Sequence, residues 1–313
     1  MKHRISIKYG TWPLPALAAI AVLLLAAACS GSGAKEQAMA PATQAPPATE
    51  AAPPTSAPAE KAEIPVVPIE MNDDGFKVAE VIPGGIVQFN IANAGSEPAA
   101  PSLIRIKEGH TRQELSDMVD TVNTNPGDFS TFNQLFNVAS AIYGVEDLAP
   151  GATLSFYADL RTGDFALSDD NHPDRGLAYF MAHELTGKTE PETVMHIDMV
   201  DFAYTMPDVA QGKGLWEFAN SGDQWHMAMV IPYNPDMTPE QVLSAFEEPE
   251  PSIPVLDGIL PMSPGERVWV EVNLQPGQYE VICPLPDLAA VADGGEPMPH
   301  LLHGMQHMFT VND

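Results

Sequence analysis

Compared with itself, the sequence shows a long internal repeat, and a duplicated chain is constrained to fold as two copies of one architecture. Ile69-Glu70-Met71 returns as Ile197-Asp198-Met199. Phe89-Asn90-Ile91-Ala92-Asn93-Ala94-Gly95 returns in outline as Trp216-Glu217-Phe218-Ala219-Asn220-Ser221-Gly222, at an offset of 127. Thr111 and Glu114 form a helix capping box that recurs at the same offset as Thr238 and Gln241, with Pro239 at the first helical position. Farther along the offset is 114, where Pro150-Gly151 and Gly163-Asp164-Phe165 match Pro264-Gly265 and Gly277-Gln278-Tyr279. Met181-Ala182-His183-Glu184-Leu185-Thr186 matches Met305-Gln306-His307-Met308-Phe309-Thr310 at 124. Two homologous domains are expected, at 64–190 and 191–313.

Inside each copy the signals are those of strands. Val268, Val270 and Val272 alternate with Arg267, Trp269 and Glu271, and Tyr279, Val281 and Cys283 share one face of the next run. Pro264-Gly265 and Pro276-Gly277 separate such runs. Long helical periods do not alternate with them, which excludes a parallel α/β sheet. The expected fold is all-β, a tandem pair of β-sandwiches with one short helix inserted in each.

The ends of the chain differ in character. Lys2, Arg4 and Lys8 precede an apolar run, Leu14 to Ala28, which stops at Ala27-Ala28-Cys29-Ser30. A basic start and a short apolar stretch read as a signal peptide over 1–28, too short for a comfortable membrane span. The small residues before Cys29 resemble the lipobox of bacterial lipoproteins, with Ala26 where that pattern prefers Leu. The resemblance implies that Cys29 is lipidated and that the protein is exported and held on a membrane, facing the periplasm or the cell exterior. Plain secretion, or an uncleaved anchor, is the alternative. Residues 29–63 are rich in Ala, Pro and Thr and cannot bury a core, so they read as a disordered tether. At roughly 3 Å per residue it could reach about 100 Å. Lys and Arg number 14 against 42 Asp and Glu, a net charge of -28, which excludes nucleic acid as a partner.

If Cys29 is acylated, Cys283 has no partner for a disulfide. Around it in sequence stand His226, His300, His303, Met305, His307 and Met308. A thiolate, two imidazoles and a thioether suit copper, with Cys and two His in a trigonal plane and a distant Met above it. Zinc has little use for the thioether. The alternative is a buried cysteine acting as a small hydrophobe. Asn220-Ser221-Gly222-Asp223-Gln224-Trp225-His226, the run Pro276 to Cys283, and His300-Leu301-Leu302-His303-Gly304-Met305 together resemble the C-terminal half of a cupredoxin, the blue copper fold. The resemblance implies two cupredoxin-like Greek-key sandwiches and one type 1 copper per chain, with His226, Cys283, His300 and axial Met305 as ligands. Two features depart from the family. Cys283 and His300 are 17 residues apart, and Met227 stands where many members carry Asn after the first His. His303 is the alternative to His300, and His307, which aligns with His183, reads as structural.

The first copy serves as a control. Position 226 maps to Ala99, Cys283 near Ser168 or Asp169, His300 near Gly176, and Met305 to Met181. Domain 64–190 should therefore lack the copper site. The leading function is one-electron transfer by a membrane-anchored copper protein whose redox partner the sequence does not name. The alternatives are a copper-binding or delivery lipoprotein, and a metal-free adhesion or assembly module with a vestigial site. No nucleophile with its base, and no paired carboxylates, stand out to suggest an enzyme.

Overall fold

A computed structural model describes residues 63–312 apart from 125–128, 146, 186–188, 247–251 and 293. The expected signal peptide, Cys29 and all but the last residue of the tether lie outside the described residues. No helix among the described residues is long and apolar enough to cross a membrane.

The first repeat runs β1 (Val66–Asn72), β2 (Gly75–Lys77), β3 (Val81–Asn93), β4 (Pro101–Ile106), α1 (Arg112–Thr124), α2 (Phe129–Val138), β5 (Ala139–Gly144), β6 (Thr153–Leu160), β7 (Gly163–Asp169) and β8 (Ala178–Leu185). The second runs β9 (Met195–Val200), β10 (Ala203–Thr205), β11 (Val209–Ala210), β12 (Lys213–Asn220), β13 (His226–Pro232), α3 (Pro239–Phe246), β14 (Asp257–Met262), β15 (Arg267–Asn273), β16 (Gly277–Ile282), α4 (Leu288–Ala292) and β17 (Gln306–Val311). Short 3₁₀ turns, Pro173–Arg175 and His300–His303, precede the two closing strands.

Period-2 patterning builds these strands. In β1 the side chains of Val67, Ile69 and Met71 face the core while Val66, Pro68 and Glu70 face out. The corresponding Met195, Ile197 and Met199 of β9 are buried as well. β1 pairs in parallel with β3, and β9 pairs in parallel with β12. The second sheet of each repeat is built alike, β8-β7-β4-β5 in the first and β11-β17-β16-β13-β14 in the second. In the first repeat the long β3 serves both sheets, pairing with β8 through Val81–Gly84 and with β6 from Gly85 on. The second repeat makes the same passage with two strands, β11 and β12, broken at Gly212, where a Cβ would come 2.6 Å from the Leu274 carbonyl oxygen.

The all-β pair of sandwiches agrees with the sequence reading, with three differences. The insertion after β4 carries two helices instead of one, and the long run between Cys283 and His300 folds a further short helix, α4. Trp269, expected on an outward face, is fully buried with Ile86 and Leu215, because that face carries a small apolar cluster of its own, with Ile64 and Tyr157 packed against it. The closing strands are also out of step with the expected alignment. β8 places Ala182 opposite Gly163, and β17 places Val311 opposite the matching Gly277, so Met181 corresponds to Thr310 and not to Met305. His183 is likewise not the counterpart of His307. The short Met-x-His likeness lost to backbone pairing, which fixes register.

The repeats join edge to edge. β6 pairs antiparallel with β15 and fuses their first sheets. Phe89 faces Phe156 across one repeat, as Trp216 faces Val270 across the other, and Phe156 and Val270 pair with each other at the seam. Equivalent residues thus meet about a local pseudo-twofold axis, as in an isologous dimer interface.

Candidate metal centre

Asn220 begins the construction of the site. Its side chain is buried, donates to the carbonyls of Gln224 and Met262 at 2.9 and 2.8 Å, and accepts from Gly222 N–H at 3.0 Å. The turn after β12 is thereby fixed, and it delivers His226 as the first residue of β13. Asn93 makes the matching bonds, to Glu97, Leu148 and Gly95. Cys283 follows β16, and its N–H donates to the Met305 carbonyl while Leu301 N–H donates to the Cys283 carbonyl. These two bonds draw the 3₁₀ turn with His300 across the end of the strand. The left-handed Gly304, φ +97°, then reverses the chain into Met305 and β17.

Three donor atoms converge here, although His226 and Cys283 are 57 positions apart along the chain and Cys283 and His300 are 17 apart. His226 Nδ1 lies 3.1 Å from His300 Nδ1, and Cys283 Sγ lies 3.4 Å from the same His300 atom. All three residues are buried, and among the described residues they form the one cluster able to hold a metal ion. Donors sharing one ion in a trigonal plane, with bonds of about 2.0–2.3 Å, would stand about 3.5–3.8 Å apart. Met305 is fully buried, and its N–H donates to the His300 carbonyl at 3.0 Å, so its backbone is tied to both Cys283 and His300.

The electrostatics suit a cation. Burial pushes the Cys283 thiol up to about 12, against the hydrogen bonds it accepts from Met227 and Leu285 N–H. Burial also lowers His300 to about 4, with the neighbouring His226 acting in the same direction. His226 is lowered by burial, opposed by Asp201. Without an ion the site holds neutral imidazoles and a protonated thiol in an apolar wall; binding a cation would release the thiol proton and satisfy the thiolate. His300 Nε2 is buried and finds no hydrogen-bond partner among the described residues.

The remaining candidates lie outside the cluster. His303 Nε2 is 3.8 Å from Asp287 Oδ2 and its ring stacks on Phe202 at 4.5 Å. His307 Nε2 lies 3.2 Å from Asp208 Oδ1. Trp225 stacks on Phe136 of α2, so the first repeat covers the chain next to a ligand position of the second. Asn133 of α2 donates to the Leu288 carbonyl at 2.8 Å, fastening α4 and its long loop to the same helix. A groove of about 450 Å³ lies between α2, Trp225, Leu285 and α4.

Two residues escaped the sequence reading. Asp201 Oδ1 lies 3.0 Å from His226 Nε2, and Phe202 sets its ring edge-on to His300 at 5.1 Å. The signal was present, because the match Ile69-Glu70-Met71 to Ile197-Asp198-Met199 extends two positions to Asp73 and Asp201.

The first repeat resolves the control. The registers of β4 with β7 and of β13 with β16 make Asp169 the counterpart of Cys283. Ala100 N–H donates to Asp169 Oδ1 as Met227 N–H donates to Cys283 Sγ. Ala99 stands for His226, and Arg175, from the 3₁₀ turn, donates to Asp169 Oδ2 at 2.8 Å and lies 3.6 Å from Asp73. A guanidinium therefore fills this end of the first sandwich.

No family model matches the chain, and no curated protein matches it. Among solved structures it is similar to a dithionite-reduced auracyanin from Roseiflexus castenholzii, at 19% identity over 38% of this chain and 95% of that one, with a TM-score of 0.27. It is similar to auracyanin A, a "blue" copper protein from Chloroflexus aurantiacus, at 18% identity over 37% and 96%, TM-score 0.24. It is also similar to a blue copper oxidase from Nitrosomonas europaea, at 12% identity over 80% and 86%, TM-score 0.22. In this all-β chain of two sandwiches, the convergent His226, Cys283 and His300 fit a type 1 copper site, the kind of centre that the resemblance to cupredoxins implies.

Proposed function

We propose that the protein is a one-electron carrier that holds a single copper ion through His226, Cys283 and His300, with Met305 as the weak axial ligand. The observation that carries this reading is the meeting of a thiol and two imidazole Nδ1 atoms in one buried spot. Copper in such a set supplies a single reversible electron exchange between two oxidation states. The chain's part is to keep the donors in place. Cys283 is tied by its backbone to Met305 and Leu301, His226 is tied through Asn220's turn, and the strands behind them, β13, β16 and β17, are paired with one another. Burial excludes bulk water from the donors, which favours electron transfer over substrate turnover at this spot. The carrier is exported and anchored through a lipidated Cys29, with residues 29–63 as its tether.

Reconstitution with Cu(II) tests the reading. Wild type should take up one equivalent and gain an intense visible band from thiolate charge transfer, and Cys283→Ser should lose the band. Equal uptake by wild type and Cys283→Ser, with no visible band in either, would overturn it. Cell fractionation tests the anchor, since Cys29→Ser should move the protein out of the membrane fraction; an unchanged distribution with an unmodified N-terminus would refute lipidation.

A further inference from the structure

The geometry points to Asp201 as the positioning residue that sets the imidazole of His226 for metal binding, an inference that rests on the copper reading above. One carboxylate oxygen does two things. Asp201 Oδ1 accepts the N–H groups of Asp223 at 3.0 Å and Gln224 at 3.3 Å, which are the last turn before His226. The same atom lies 3.0 Å from His226 Nε2. That oxygen already accepts two backbone N–H groups, and the geometry makes it the acceptor for Nε2 as well, so Nε2 carries the imidazole proton and Nδ1, which faces Cys283 and His300, keeps its lone pair.

The first repeat separates the two tasks. Asp73 occupies the equivalent place after β1 and accepts Ser96 N–H at 2.8 Å, but Ala99 stands where His226 would be. The backbone contact is common to both repeats, and the imidazole contact belongs to the second alone. Room for that contact is kept by Gly222, where a Cβ would come 2.5 Å from Asp201 Oδ1 and 2.7 Å from His226 Nε2. Asp201 is further held by its neighbour. Phe202 has φ +61°, the one positive φ outside glycine among the described residues, a strained conformation for an aromatic side chain. The strained two-residue turn between β9 and β10 puts Asp201 behind one imidazole and Phe202 against the other.

Nitrogen-15 NMR of the metal-free, full-length protein reads the tautomer of His226 without any copper. Wild type should show the Nε2–H form. Asp201→Ala should lose that preference, and its Cu(II) affinity should fall about 10- to 100-fold, the usual effect of removing such a partner. Asp201→Asn keeps an acceptor oxygen and should retain the tautomer and most of the affinity, while Asp73→Ala should leave both unchanged. Gly222→Ala should resemble Asp201→Ala, and it decides the matter should Asp201→Ala not fold. An Nδ1–H tautomer in wild type, or wild-type tautomer and affinity in both Asp201→Ala and Gly222→Ala, overturns the assignment. A wild-type protein with the expected tautomer but no Cu(II) uptake refutes the copper reading and leaves the hold of Asp201 on His226 standing.

Discussion

Asn93 and Asn220 show what a single side chain does in each repeat. Each amide is buried and satisfies one carbonyl and one N–H of its own turn and one carbonyl of a distant segment, Leu148 or Met262. Alanine at either position removes three hydrogen bonds, and a loss of about 2–4 kcal/mol is expected in urea unfolding of the metal-free protein. Only Asn220→Ala should also weaken Cu(II) uptake, because its turn leads to His226 while that of Asn93 leads to Ala99. Equal copper affinities in the two variants would show that the turn does not set the ligand. The donors His226, Cys283 and His300 were legible in the sequence because cysteine, histidine and methionine together are uncommon and chemically specific. Asp201 was marked in the sequence only by its match to Asp73, and its task showed only when the fold placed it 3.0 Å from an imidazole.

The helices and strands were legible to different degrees, for reasons of local chemistry. Both capping boxes form, with Glu114 N–H donating to Thr111 Oγ1 at 3.2 Å and Gln241 N–H to Thr238 Oγ1 at 3.4 Å. Their partners are three residues apart, so sequence alone determines them. α2 escaped because its buried side, Thr131 and Val138, is thin and its aromatic residues meet Trp225 and α4 of the other repeat instead. Register escaped for the same reason. Met181 and Met305 sit in similar words, and only the partner strand could show that they occupy different rungs. The long run between Cys283 and His300 is in part an internal clamp through the Asn133 bond to Leu288.

At the scale of the molecule the seam between repeats is polar as well as paired. Arg105 of β4 donates to Glu266 and, at 3.1 Å, to Ser140, and Glu266 is 2% exposed. Arg267 reaches Asp159 across the same seam at 2.9 Å. Arg105→Met would leave a buried carboxylate without its partner, at a cost of about 3–5 kcal/mol, whereas Arg105→Met with Glu266→Leu should recover most of that stability. Chemical denaturation of the two variants checks this; equal losses would mean that the pair contributes by shape rather than by charge. The first repeat brings its own positive charge to Asp169, on the end of Arg175, and is complete as soon as the chain folds. The second, under the copper reading, borrows its charge from solution. Metal supply then enters the stability of one half as a mass-action term, about 4 kcal/mol at free metal a thousandfold above the dissociation constant. A chelator withdraws that from 191–313 and leaves the salt bridge of the other half as it was.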